Sequence, residues 1–283
     1  MIDRLTFSVQ GRRVGVLVGA AGVRPPIRAV PPGTPVLVLL HAFPLHAGMW
    51  EPQLAGAPSG WIVLAPDFRG FGRSDLGRRG PSAPSIDDYA DDVLALLDQL
   101  EISEAVFAGL SMGGYVAFSL FRCAPARVAG LVLADTRAEA DGAEARAGRA
   151  ATLARLERGD VTGVVGAMLP KLLSPATLAG RPEILARVRA ILEAADPRAM
   201  VEATTRLRDR PDSSPLLALI RCPVTVVGGA EDALTPAEEI RGLAARIPGA
   251  RLALIEGAGH LASVEQPQAF NAELARLLAA VAE

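Results

Sequence analysis

Three residues in this sequence could together activate a hydroxyl for attack on a carbonyl carbon. Ser111 lies in Gly109-Leu110-Ser111-Met112-Gly113, followed by Gly114; Asp232 lies in GGAEDALTP; His260 lies in GAGHLASVEQP. A serine hydroxyl is a weak nucleophile and needs a base, and the base needs a carboxylate to fix its tautomer and stabilise the imidazolium. The Gly-x-Ser-x-Gly pattern alone decides little, because about 0.1 chance matches are expected in a chain of this Ser and Gly content. Its setting decides more. The motif directly follows AVFAGL, which reads as a buried strand, and directly precedes the apolar helical pattern GYVAFSLF. A strand–turn–helix of this kind exposes the hydroxyl at a helix N-terminus, whose dipole favours developing negative charge. The turn is strained, and a side chain at either flanking glycine would strike neighbouring backbone.

The other candidates follow from that centre. His260 has two rivals for the base, His41 and His46. His41 ends a strand pattern and is expected to fix the loop after it, and His46 is expected in a loop near the pocket rim. Three scattered histidines offer no metal-ligand spacing, so neither a metal nor a cofactor is expected. Asp135, ending VAGLVLAD, competes with Asp232 for the acid. Asp232 is preferred because the order Ser, Asp, His, with the acid after a later strand, is usual for such a turn. Asp67 and Asp75, in PDFRGFGRSD, are expected to brace a tight loop through Arg69 and Arg73. An oxyanion requires two preorganised donors. The backbone amides of Met112 and of Phe43, in HAFPLHAGMW, are the candidates.

These residues need a scaffold. Residues 4–9 and 13–18 read as two strands around Gln10-Gly11, a hairpin signal. Non-alternating apolar runs at PVLVLLH, WIVLAPD, EAVFAGL, VAGLVLAD, CPVTVVGG and ARLALIE read as strands buried on both faces. Helical patterns lie between them, at 86–100, 113–123, 236–247 and 264–281. This alternation predicts an α/β fold: a mostly parallel eight-stranded sheet flanked by helices. The alternation stops between Arg137 and Ser214, which has helical spacing and no strand candidate. Residues 1–136 and 215–283 are therefore expected to form the core, with 137–214 a helical cap inserted after the sixth strand.

Composition excludes several classes. Of 283 residues, 50% are hydrophobic and the formal net charge is −2, with no basic stripe of the kind nucleic acid requires. Lys171 is the sole lysine. Cys123 and Cys222 do not make a disulfide framework and are expected as two buried thiols. MIDRLTFSVQ lacks the pattern of a signal peptide, and Val36–Leu40 is too short to cross a membrane. A cytoplasmic protein acting on a small molecule, without nucleic-acid or membrane partners, is expected, either as a monomer or as a homodimer.

Taken in order, HAFPLHAGMW, DFRGFGRSD, GLSMGGYVAF, GGAEDALTP and GAGHLASVEQP resemble the α/β-hydrolase superfamily, in its branch of small serine esterases, enol-lactonases and cofactor-free perhydrolases. The resemblance implies Ser111 as nucleophile, Asp232 as acid, His260 as base and the amides of Phe43 and Met112 as the oxyanion hole. One departure is His41-Ala42, where that family often has His-Gly. Dehalogenases and epoxide hydrolases of the fold carry Asp at the turn, so Ser111 argues against them. The activity implied is cleavage of carboxylic esters of small to medium apolar acyl groups through an acyl-enzyme on Ser111. Met168, Leu169, Leu172 and Leu173 are each expected either over the acyl pocket or in plain hydrophobic contact with the main domain. Rival readings are a 3-oxoadipate enol-lactonase-like lactone hydrolase, a perhydrolase, a carbon–carbon bond hydrolase and a non-catalytic ligand receptor.

Overall fold

The computed structural model describes residues 2–20, 30–77 and 83–282; part of the connector after Gly19 lies outside them. Eight strands form one sheet: β1 Ile2–Val9, β2 Arg12–Ala20, β3 Val36–Leu40, β4 Ile62–Pro66, β5 Ala105–Leu110, β6 Val128–Ala134, β7 Val224–Gly229 and β8 Arg251–Ile255. Their order is β1-β2-β4-β3-β5-β6-β7-β8. β1 and β2 form an antiparallel hairpin, β2 pairs antiparallel with β4, and the other pairings are parallel. The hairpin turn fits its residues: Gln10 and Gly11 both adopt positive φ, at 48° and 74°, which the tightest hairpin turns demand. β3, β4, β5 and β7 are buried along their whole length, as non-alternating apolar strands must be.

β8 departs from the sequence reading. It ends the sheet, so Arg251 and Leu252 are exposed, because a strand with only one neighbour cannot be covered like a central one.

The described helices are α1 Glu51–Ala55, α2 Asp87–Gln99, α3 Met112–Cys123, α4 Ala143–Glu157, α5 Val161–Leu172, α6 Pro175–Gly180, α7 Pro182–Glu193, α8 Pro197–Asp209, α9 Ala237–Ala245, α10 Ala262–Glu265 and α11 Pro267–Ala282. None is long and apolar enough to cross a membrane. The single helix predicted over 264–281 is two elements. Pro267 has no N–H to continue α10 and instead starts α11.

Helices α4 to α8 fill the interval between β6 and β7, with α4 packed on α8 and α5 on α7. Three of them start on side chains that accept a backbone N–H: Asp160 for α5, Ser174 for α6 and Asp196 for α8. Such caps satisfy amides that the helix itself cannot. Arg210 ties the two ends of the insertion together. Its guanidinium donates to the Asp141 carboxylate at 2.5 Å, to Leu207 O at 2.7 Å and to Glu139 O at 2.9 Å. It also lies over the Tyr115 ring, 4.1 Å from the centroid.

The cysteine expectation needs correction. Cys123 is exposed and Cys222 half-buried, both as free thiols; Cys123 is the last residue of α3, where the helix leaves the core. The loop after β4 also has different bracing. Asp67 accepts from the backbone amides of Ala47 (2.8 Å) and Arg73 (2.9 Å), whereas Arg69 pairs with Asp92 and Asp75 with Arg13.

Candidate active site

Leu110 ends β5 and Met112 begins α3, so Ser111 makes the turn alone, at φ 55° and ψ −111°. A non-glycine residue held there costs about 1–3 kcal/mol and persists only where its surroundings over-determine it. Here they do. The Ser111 N–H donates to Ala134 O at 2.9 Å, and the Ser111 carbonyl accepts from Gly114 N–H (2.9 Å), Tyr115 N–H (3.3 Å) and the Thr136 hydroxyl (2.9 Å). The glycines leave room for this geometry. A Cβ on Gly109 would collide with the Gly113 carbonyl, one on Gly113 with the Leu40 carbonyl, and one on Gly114 with Thr136. The Ser111 side chain makes no capping bond to α3, which leaves its hydroxyl available.

His260 and Asp232 are buried, and His260 Nδ1 lies 2.7 Å from Asp232 Oδ2. The second Asp232 oxygen accepts from Leu234 N–H at 2.7 Å, which pins the carboxylate. With Nδ1 engaged, Nε2 is the ring nitrogen left to exchange a proton. The structure pairs His260 with Asp232 and not with Asp135. Asp135 directly follows β6, at φ 46°, fully buried, with Oδ1 accepting from Gly229 N–H at 2.7 Å. Its Oδ2 is buried without a partner among the described residues. Burial, and then the neighbouring charge of Asp232, push its carboxyl well above the usual carboxylate range.

The remaining histidines stay outside this arrangement. His41 Nε2 accepts from Phe68 N–H at 3.0 Å, and its Nδ1 lies 2.9 Å from Ala42 O. Burial lowers its pKa to about 3, so it is a neutral link between β3 and the loop after β4. His46 Nδ1 accepts from Gly48 N–H at 2.9 Å. Among the described residues, no three His, Cys, Asp or Glu side chains group as metal ligands.

Phe43, Ser111 and His260 line one cavity of about 700 Å³. Among the described residues, neither the Phe43 amide nor the Met112 amide, at the first position of α3, donates to a backbone carbonyl of a loop, turn or cap. From α5, Val164, Ala167, Met168 and Leu172 face this cavity. Leu169, on another face of α5, and Leu173, just past its end, are buried in the hydrophobic core and do not line the cavity, the second of the two arrangements expected for them. The cavity lining also carries polar side chains: Arg137, Asp141, Glu144, Arg149, Thr152 and Arg155, with Lys171 from α5 itself. Arg149 pairs with Asp141 (3.2 Å), Arg155 with Asp160 (2.8 Å) and Arg137 with Glu239 (3.1 Å); Lys171 has no ion-pair partner among the described residues.

The sequence reading missed Thr136, Glu265 and the cationic wall. Thr136 directly follows VAGLVLAD, and Glu265 is an isolated charge in an apolar stretch before a proline. Both signals are visible only in hindsight of which backbone groups they meet.

An elbow of this geometry at the end of the fifth strand, beside a His–Asp pair carried after the eighth and seventh, defines an α/β hydrolase. The chain belongs to the alpha/beta hydrolase family, matching it over residues 37–273. It is 32% identical over 238 residues to 3-oxoadipate enol-lactonase 2 of Acinetobacter baylyi, covering 84% of this chain and 86% of that protein. A thermophilic esterase from Thermogutta terrifontis with malate bound superposes with a TM-score of 0.87 at 32% identity, over 99% of both chains. The enol-lactonase of Burkholderia xenovorans LB400 superposes at 0.85 with 25% identity, over 97% of this chain and 100% of that one.

Proposed function

We propose that this protein hydrolyses carboxylic esters through an acyl-enzyme on Ser111. In this mechanism His260 Nε2 takes the Ser111 proton as the hydroxyl oxygen attacks the ester carbonyl. Asp232 stabilises the imidazolium through Nδ1, and the amides of Phe43 and Met112 hold the oxyanion. His260 then gives the proton to the leaving alkoxide. A water deprotonated by His260 attacks the acyl carbon, and collapse of the second oxyanion frees the acid and restores the Ser111 hydroxyl. Residues 137–214 act as a cap over the cavity. The observation that carries this reading is the strained Ser111, its side chain making no capping bond to α3, in one cavity with His260, whose Nδ1 is held 2.7 Å from Asp232.

The test is hydrolysis of p-nitrophenyl esters from acetate to decanoate by the parent and by Ser111→Ala. The parent is expected to turn over, with kcat about 10⁴-fold or more lower in the variant. A rate untouched by the substitution would remove Ser111 from the mechanism.

A second reading changes the substrate but not the chemistry: a cyclic ester bearing a carboxylate. It is supported by the cationic cavity wall and by the similarity to an enol-lactonase of Acinetobacter baylyi. The same serine then opens a ring, and no separate alcohol leaves. Faster opening of an enol-lactone than of any neutral p-nitrophenyl ester would favour this reading over the first.

A further inference from the structure

We propose that Glu265 is a positioning residue that fixes the His260 loop to the helical insertion; the proposal rests on His260 being the base. Glu265 is fully buried, and a carboxylate removed from water must be satisfied by donors. Its two oxygens find donors on two different parts of the molecule. Oε1 accepts from the N–H of Gly259, the residue before His260, at 2.7 Å. Oε2 accepts from the N–H of Ser174, the residue that caps α6, at 2.8 Å. One side chain therefore staples the base's loop to a segment 91 residues away in sequence.

The surrounding contacts leave this junction no slack. Leu261 N–H, on the other side of His260, donates to Leu172 O at 3.1 Å. His260 is thus bracketed by two bonds from backbone amides, one to the Glu265 carboxylate and one to the Leu172 carbonyl at the end of α5. The Ser174 hydroxyl meets Gly257 O at 3.5 Å, and Arg181 Nη1 donates to the backbone carbonyl of Glu265 at 2.6 Å. A Cβ on Gly259 would lie 2.7 Å from Ser174 N and 2.8 Å from the Leu173 carbonyl carbon, so the loop and the insertion touch through bare backbone. Leu172, the acceptor for Leu261, also lines the cavity with Ser111 and His260. A shift of the α5 end therefore reaches the imidazole directly.

The chemistry of the junction calls for a carboxylate. Both partners are N–H donors, and bonds to an ionised acceptor are about twice as strong as neutral ones. Glutamine keeps one acceptor oxygen but turns an NH2 toward the other amide, so Glu265→Gln releases one end at nearly constant volume. A displacement of about 1 Å at a proton-transfer group can cost about 100-fold in rate. Binding of a substrate held by the cavity walls should change far less.

The experiment measures kcat and KM of Glu265→Gln on p-nitrophenyl butyrate, with far-UV circular dichroism as the check of folding. Amide hydrogen exchange of Gly259, Leu261 and Ser174 is followed in the parent. The expected result is kcat lower by about 10- to 100-fold with KM within about twofold, and, in the parent, three amides that exchange together as one slow group. A variant with parental kcat would overturn the proposal, as would a parallel change in kcat and KM accompanied by a lower Tm. Independent exchange of Gly259 and Ser174 in the parent would overturn it too, and that measurement decides if the variant does not fold. Absence of ester hydrolysis by the parent would instead count against the reading of Ser111, leaving exchange to judge the staple.

Discussion

Asp135 and Asp232 follow neighbouring strands, and both sit in buried surroundings, yet the fold treats them differently. Asp232 has a histidine and an amide for its oxygens; Asp135 has one amide and an orphaned oxygen. Burial, reinforced by the charge of Asp232, raises the Asp135 carboxyl well above 3.8. The sign follows from linkage. Above that pH the unfolded chain releases the proton while the native chain keeps it, so this group lowers stability as pH rises, until the native carboxyl itself ionises. Asp135→Asn keeps an oxygen for Gly229 and removes the titration. Its Tm relative to the parent is expected to rise between pH 5 and pH 8, measured by thermal denaturation at both; an unchanged difference would mean that Asp135 is ionised in the native state. Asp135 was legible because it ends an apolar strand pattern, and Asp232 because it lies in the loop just after one. The chain order favoured Asp232 as the partner of the imidazole, and the structure adds what each oxygen meets. For Ser111 the flanking glycines made the turn legible, whereas Thr136, which holds its carbonyl, was not, since a threonine after a strand is unremarkable.

The insertion illustrates why element-level patterns give less about a cavity than about a core. On α4, Ala145, Gly148, Arg149, Thr152 and Arg155 line the cavity, a stripe at helical spacing. Leu153 and Leu156 are buried elsewhere on the helix. A polar stripe reads as a solvent face, so nothing in its period announces a pocket. The same elements depend on Arg210, whose side chain is 2% exposed and whose partner Asp141 is 4% exposed. Removing one member of a buried pair leaves an uncompensated charge and typically costs about 3–5 kcal/mol. Asp141 retains Arg149, so Arg210→Ala is expected at the lower limit, about 3 kcal/mol. Urea denaturation measures this loss, and a change below about 1 kcal/mol, the size of a surface pair, would mean that the two ends of the insertion are held by packing alone.

Over the whole molecule the formal charge is only −2, and that near-balance conceals an uneven distribution. Four cationic side chains line the cavity; Arg137, Arg149 and Arg155 are paired with Glu239, Asp141 and Asp160, which leaves Lys171 as the cation without an ion-pair partner among the described residues. Such a lining should favour an acyl chain that ends in a carboxylate, and salt should weaken the preference. The ratio of kcat/KM for monomethyl succinate over methyl butyrate is expected to fall about threefold or more from 20 mM to 500 mM salt. It is also expected to fall in Lys171→Gln, with methyl butyrate little affected. A ratio indifferent to both would sink the anionic preference without touching the ester mechanism. The sheet itself was legible almost throughout, because central strands here are uniformly apolar. The edge strand β8 was not distinguishable from them, since pairing partners on one side or two leave the same short apolar run.

Every bond that holds the strained Ser111 backbone comes from residues no later than Thr136. Asp232, His260 and Glu265 all lie beyond β7, which begins at Val224. The residues that shape the turn of the proposed nucleophile are therefore all synthesised before its proposed acid and base. Domains generally fold as units, and the eight strands here form one sheet. Under the proposed mechanism a chain lacking the last two strands would be inert whatever the state of its serine, and hydrolytic competence would arrive in one late step.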